Sequence, residues 1–189
     1  MQTINPSKLE LMVFEASKTA FEELLLAHPE ESFYTFGLWT DDSLQFLNPA
    51  ANTEERLDQT VEDYKKNVDP EYDTITTHNG MRWSYGDWGF FPADTGENLF
   101  AEINEELGKI FDLDIPEEDF IEIITPLWDA IVKGLNRLRE EEVLKNLTVE
   151  KPITLLVVGD LDDEIINTCA KILNTDEIAE KYINWNYDE

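Results

Sequence analysis

From residue 7 to 28, apolar side chains recur at intervals of three and four. Leu9, Met12, Val13, Ala16, Ala20 and Leu24 form the stripe, widened by Phe14, Phe21 and Leu25. That spacing predicts a long, well-buried helix. Asn5-Pro6 or Ser7 caps it: Pro6 suits the first turn, and Glu10 has capping-box spacing from Ser7. His28-Pro29 ends it. The pattern then becomes an aromatic strand over 32–40 (SFYTFGLWT), a turn at Asp41-Asp42 and a return strand over 43–47, giving a hairpin over 32–47. Asn52 or Thr53 caps a second helix over 54–67, with Leu57, Val61 and Tyr64 on one face.

Beyond Asp69-Pro70 the residues 73–80 are short, polar and Thr-rich, which predicts a weak edge strand ending at Asn79-Gly80. Residues 81–85 read as a further strand. Asp94 and Glu97 have capping-box spacing before a helix over 97–111, with Leu99, Phe100, Ile103, Leu107 and Ile110 inward. Asp114 and Pro116 open a helical region to about residue 147. Pro126 lies inside its apolar pattern and predicts a kink or a break near Thr125. The run Ile153-Thr154-Leu155-Leu156-Val157-Val158 favours a strand covered on both faces. Two short helices follow, over 162–173 and from Asn174 or Thr175 to about 184. This order predicts an α+β fold: a mainly antiparallel sheet (hairpin 32–47, strands near 73–85 and 153–158) packed against several helices, in one globular domain over 1–189.

The densest feature is residues 81–92, MRWSYGDWGFFP, in which five of twelve side chains are aromatic. Aromatics dominate the burial energy of a small domain. With Phe33, Phe36 and Trp39 of the hairpin as packing partners, Trp83 and one or both of Phe90 and Phe91 are expected in the core. Gly86, Asp87 and Trp88 are left as a candidate site.

Charge changes the picture more than composition does. Forty-two acidic against fourteen basic residues give a formal net charge of −28. Such a field repels nucleic acid and anionic lipid and attracts basic partners. Solubility alone also accounts for acidic faces, and ten lysines argue against salt adaptation. No apolar run is long enough to span a bilayer, and residues 1–17, with Glu10 and Glu15 and no uninterrupted apolar core, are not expected to act as a secretory signal. One cysteine, Cys169, excludes an internal disulfide, so a cytoplasmic location is expected.

Candidate chemistry is sparse. Asp160, Asp162, Asp163 and Glu164 crowd one strand-to-helix turn, but acids in a first helical turn also complement its dipole without metal. His28 and His78 lack metal-ligand spacing. Cys169, on an amphipathic helix, reads as a buried thiol. Ser84, His78 and Asp87 make a triad of common residues only on paper. No phosphate loop, nucleophile elbow or zinc motif occurs, so no catalytic residue, metal ligand or cofactor is assigned. Arg82, one of four arginines, sits beside Trp83 and is expected to stack on an aromatic or to pair with Asp87, Asp41 or Asp42. The candidate binding residues are Arg82, Asp87, Trp88, Asp41 and Asp42.

Two blocks carry a resemblance. FYTFGLWTDD over 33–42, continuing through NPAANTEE over 48–55, and RWSYGDWG over 82–89 resemble a bacterial family of similar length known only as a domain of unknown function. The resemblance covers most of the chain and transfers no catalytic residue. In size and charge such proteins are similar to the immunity proteins of bacterial toxin systems. The expectation is therefore a non-enzymatic acidic binding protein, immunity-like, that occludes a basic protein such as a toxin, without nucleic acid or membrane partners. An enzyme with a carboxylate site near Asp87, or an intracellular scaffold domain, is the alternative.

Overall fold

The first helix, α1 (Pro6–Ala27), starts at Asn5, whose side-chain oxygen accepts from the backbone N–H groups of Ser7 and Lys8 at 2.9 and 3.2 Å. Asn5 is therefore the cap rather than Ser7, with Pro6 at the position where its missing N–H costs nothing. The computed structural model describes residues 4–70, 72, 75–91, 97–111, 116–141, 143–146 and 152–185.

Strand β1 (Phe33–Asp41) is the centre of a three-stranded sheet of order β2-β1-β3. It pairs antiparallel with β2 (Asn48–Thr53) and parallel with β3 (Thr154–Asp160). The α+β class holds, and the sheet contains one pair of each kind. The return strand of the hairpin is not 43–47 but 48–53. Residues 42–47 are instead a loop that buries Leu44 and Leu47, with Leu44 at φ 58°. Asp41 holds that loop by accepting from the backbone N–H of Gln45 at 2.9 Å. Pro49 is tolerated because β2 lies at the sheet edge, where a missing N–H breaks no central ladder.

The expected strand near 73–85 is overturned. Residues Ile75–Trp83 form a helix, α3, beside α2 (Glu54–Asn67), and Asp73 and Thr74 lie outside the described residues. Packing overrides the local turn signal of Asn79-Gly80: Met81 is buried with Leu57 and Val61 of α2 and with Tyr34 of β1. A 3₁₀ turn (Tyr85–Asp87) follows. Phe90 then forms an isolated antiparallel bridge to Ala51 on the outer edge of β2.

The helix expected over 97–111 divides into a 3₁₀ turn (Glu97–Phe100) and α4 (Ala101–Phe111); Asp94, its proposed cap, lies outside the described residues, as does Asp114. Helix α5 (Glu117–Glu140) runs unbroken through Pro126. Pro126 is exposed, and Thr125 returns a hydroxyl hydrogen bond to the Ile121 carbonyl at 2.7 Å. A short α6 (Val143–Asn146) follows. Helices α7 (Asp163–Leu173) and α8 (Asp176–Ile183) come after β3.

Side-chain alternation divides the sheet between two cores, as the apolar run over 153–158 predicts. Phe36, Leu38, Leu155 and Val157 join α1, α4 and α5 on one face. Leu156, Val158 and Ala50 meet Trp88, Ala170 and Tyr182 on the other. The free edge of β3 is closed by a side chain. Asn174 accepts from Leu155 N–H at 2.9 Å and donates to Leu155 carbonyl at 2.7 Å, imitating a fourth strand. Arg139 donates to the carbonyls of Ile153 and Leu173 at 3.1 and 2.9 Å and fixes the same corner. At Leu155 the edge is thereby withdrawn from pairing with another chain.

Candidate functional site

The two motif blocks meet at Gly37 and Trp88. A Cβ on Gly37 would lie 2.9 Å from the Leu156 carbonyl and 3.3 Å from the Trp88 ring, so glycine is what lets the indole approach β1 this closely. Trp88 is 2% exposed and its indole N–H donates to the Arg82 carbonyl at 3.0 Å. Tyr34 donates to the same carbonyl at 2.9 Å. That carbonyl belongs to the last turn of α3 and has no partner within the helix, so the two donors act as its cap. Asn52 completes the circuit, donating to the Tyr34 hydroxyl at 2.8 Å and accepting from Gly89 N–H at 3.0 Å. Burial pushes the Tyr34 phenol well above its ordinary value, so it stays protonated and able to donate.

Two arginines clamp the outside of this lock. Arg82 pairs through both terminal nitrogens with Glu54, in the first turn of α2, and lies 4.3 Å from the centre of the Tyr34 ring. Stacking is as expected, but the carboxylate is Glu54 and not Asp87, Asp41 or Asp42. Arg56 pairs with Glu31, donates to the Gly89 carbonyl at 3.1 Å and covers Phe90 at 3.9 Å. Thr53 also donates to Glu31, at 2.7 Å. Asp87 accepts from the Tyr64 hydroxyl at 2.8 Å, and that bond holds the Tyr64 pKa above its ordinary value. Trp88 rather than Trp83 is the fully buried indole; Trp83 is partly buried.

Beside the lock lies a cleft of about 210 Å³, walled by Glu54, Arg82 and Trp83 on one side and by Thr154, Glu177 and Lys181 on the other. Asp87 is not among its lining residues.

A different arrangement forms at the far end of β1. Parallel register sets Asp41 beside Asp160, and Asp42 N–H donates to the Asp160 carbonyl at 3.2 Å. The approach depends on Gly159, at φ +144°, where a Cβ would fall 1.7 Å from the Thr40 carbonyl. Asp162 caps α7 and Asp163 and Glu164 fill its first turn. Six carboxylates that sequence reasoning held apart, 41–42 and 160–164, thus share one end of the sheet. Five are exposed and Asp41 is partly so. Among the described residues none of the six forms an ion pair with a lysine, arginine or histidine. Trp39 stands two residues before Asp41 on the same face, stacked on Tyr85 at 6.3 Å and edge-on to Phe46 at 4.9 Å, all three partly exposed.

The remaining candidates are dispersed. His28 pairs with Glu31 at 3.2 Å and His78 with Asp58 at 3.7 Å, so Ser84, His78 and Asp87 are not joined into a relay. No group of three or more metal-ligating side chains occurs among the described residues. Cys169 is 5% exposed, and burial raises its thiol to about 11. Among the described residues no helix is long and apolar enough to cross a membrane.

The chain belongs to the family described as a domain of unknown function, DUF4303, which matches residues 13–175 and so takes in both motif blocks and β3. No curated protein and no solved structure matches it.

Proposed function

We propose that this protein is a non-enzymatic acidic binding protein whose partner is a basic protein, seated at the end of β1 and β3. Asp41 and Asp42, with Asp160 and the first turn of α7, supply the charge. Trp39 and Tyr85 supply the apolar contact. The observation that carries the reading is the convergence of six carboxylates, none of them in an ion pair among the described residues, beside partly exposed aromatics. Aromatic anchors with a charged rim are the usual anatomy of a protein interface. The overall −28 charge adds long-range steering of a basic partner. An immunity-type protein that occludes a basic toxin is the biological form the reading takes. Arg82, Asp87 and Trp88 act here as supports: they hold the 3₁₀ turn that carries Tyr85 against Trp39.

Affinity capture of basic proteins and co-expression with basic toxins test it, with an unrelated acidic protein of equal size and charge as control. Selective retention, weakened by Asp41→Asn with Asp160→Asn, is expected. Retention no better than the control's sinks the proposal.

A further inference from the structure

Helices α5 and α7 do not close on each other along their outer side. A groove of about 400 Å³ remains between them, floored by Trp128 and Val132 of α5 and by Ile165 of α7. Its lining is predominantly apolar, and Ile172 is 53% exposed at its mouth. Burying such a surface against water is favourable, and a side chain this exposed leaves about half of its apolar area open to a partner. Asp129 and Glu164 flank the floor, one from each helix, and Lys133 is the single cation of the lining among the described residues. Glu164 also belongs to the acidic end of the sheet, so groove and carboxylates form one continuous surface around the start of α7.

We infer that this groove receives an amphipathic helix of a partner, with apolar side chains on one face and lysine or arginine beside them. The inference rests on the proposed basic partner and says how that partner docks. Dimensions select a helix. The lining runs over nine residues, or eight helical rises, of each helix, from Thr125 to Lys133 and from Glu164 to Ile172. That length is about 12 Å at 1.5 Å per residue. Anchors at i, i+3 or i+4, and i+7 of a helix span about 10.5 Å and fill such a groove, the recurring way in which two helices accept a third. Charge selects the flanks. Asp129 and Glu164 are both exposed, and cationic side chains of the incoming helix reach them without leaving water. The field of a chain at −28 disfavours an acidic helix from the same approach.

The test uses the full chain and two fluorescein-labelled peptides of 18 residues, built from equal numbers of leucine and lysine. In one, leucines recur at three and four; in the other, the same residues are scrambled so that no helical face is apolar. Fluorescence anisotropy is read for wild type and for Ile172→Gln, with the Ile172→Gln/Asp129→Asn double variant as a second probe. Unfolding curves confirm that each variant folds. Wild type is expected to bind the patterned peptide at least tenfold more tightly than the scrambled one. Ile172→Gln should remove that preference while leaving the scrambled peptide's affinity unchanged. Equal affinity for the two peptides, or a preference that survives both variants, overturns the groove and leaves the basic-partner reading standing. Failure of both peptides to bind overturns both.

Discussion

The two ends of β1 handle polar groups in opposite ways. At its start, Tyr34, Asn52, Trp88 and the Arg82 carbonyl satisfy one another, and Arg82 and Arg56 close over them with Glu54 and Glu31. At its end, Asp41 and Asp42 meet Asp160 in parallel register and turn their charge outward. A buried polar group is costly unless paired, so a satisfied network specifies one packing. Carboxylates crowded at a surface do the reverse, repelling each other in the free chain until a cation arrives. The motif-rich end is therefore built for folding, and the charge-rich end is the one to which we assign recognition in the proposed function.

That contrast breaks most visibly at Trp88. Trp88→Ala removes a buried ring and strips a donor from the Arg82 carbonyl, and should lower stability by about 3–5 kcal/mol. Denaturant unfolding measures it. A loss below about 1 kcal/mol means that the lock does not hold the sheet. Arg82→Ala leaves Glu54 without its fork and bares the Tyr34 ring, and should cost about 1–3 kcal/mol. Arg82→Lys should recover only part of that, because an ammonium neither forks nor stacks as a guanidinium does.

Alkali sharpens the comparison from another side. Burial raises Tyr182 from 10.0 to about 12 and Cys169 from 9.0 to about 11. Their folded-state values lie above the unfolded ones, so this stability is complete below pH 9 and is lost as pH rises towards 12. The expected loss is about 1–2 kcal/mol by pH 10, and Tyr182→Phe with Cys169→Ala should flatten it. A fall of unchanged steepness in that variant places the titration elsewhere.

The smallest stability effect belongs to the other end of the strand. Changing Asp41, Asp42 and Asp160 to asparagine should move the unfolding free energy by no more than about 0.5 kcal/mol, since Asp42 and Asp160 are exposed and an asparagine oxygen at 41 still accepts from Gln45 N–H. The same change should weaken binding of any basic partner.

What the sequence disclosed follows the range of the forces involved. Helix α1, the helix after Thr53 and the strand over 154–160 rest on periodicity, and each lies where its pattern indicates. Helix α3 was hidden because Thr76, Thr77, Asn79 and Gly80 are poor helix formers, and only Met81 settling on Leu57 and Val61 decides the matter. Arg82 was visible as a clamp, but its carboxylate is 28 residues away on a neighbouring helix. The signal for it lay in the first block, whose Tyr34, Asn52 and Glu54 read as strand and cap residues until α2 and α3 come side by side. The meeting of residues 41–42 with 160–164 depends on a parallel pairing 119 residues apart, which no local pattern encodes.

The central claim, that recognition resides at the acidic end and not in total charge, has one direct measurement. Affinity for a fluorescein-labelled oligolysine peptide is compared between Asp41→Asn/Asp42→Asn/Asp160→Asn and a charge-matched control, Glu15→Gln/Glu23→Gln/Glu30→Gln, altered at exposed positions on α1 and just after it. The account predicts at least a tenfold loss for the first variant and less than twofold for the second. Equal losses in the two would contradict it.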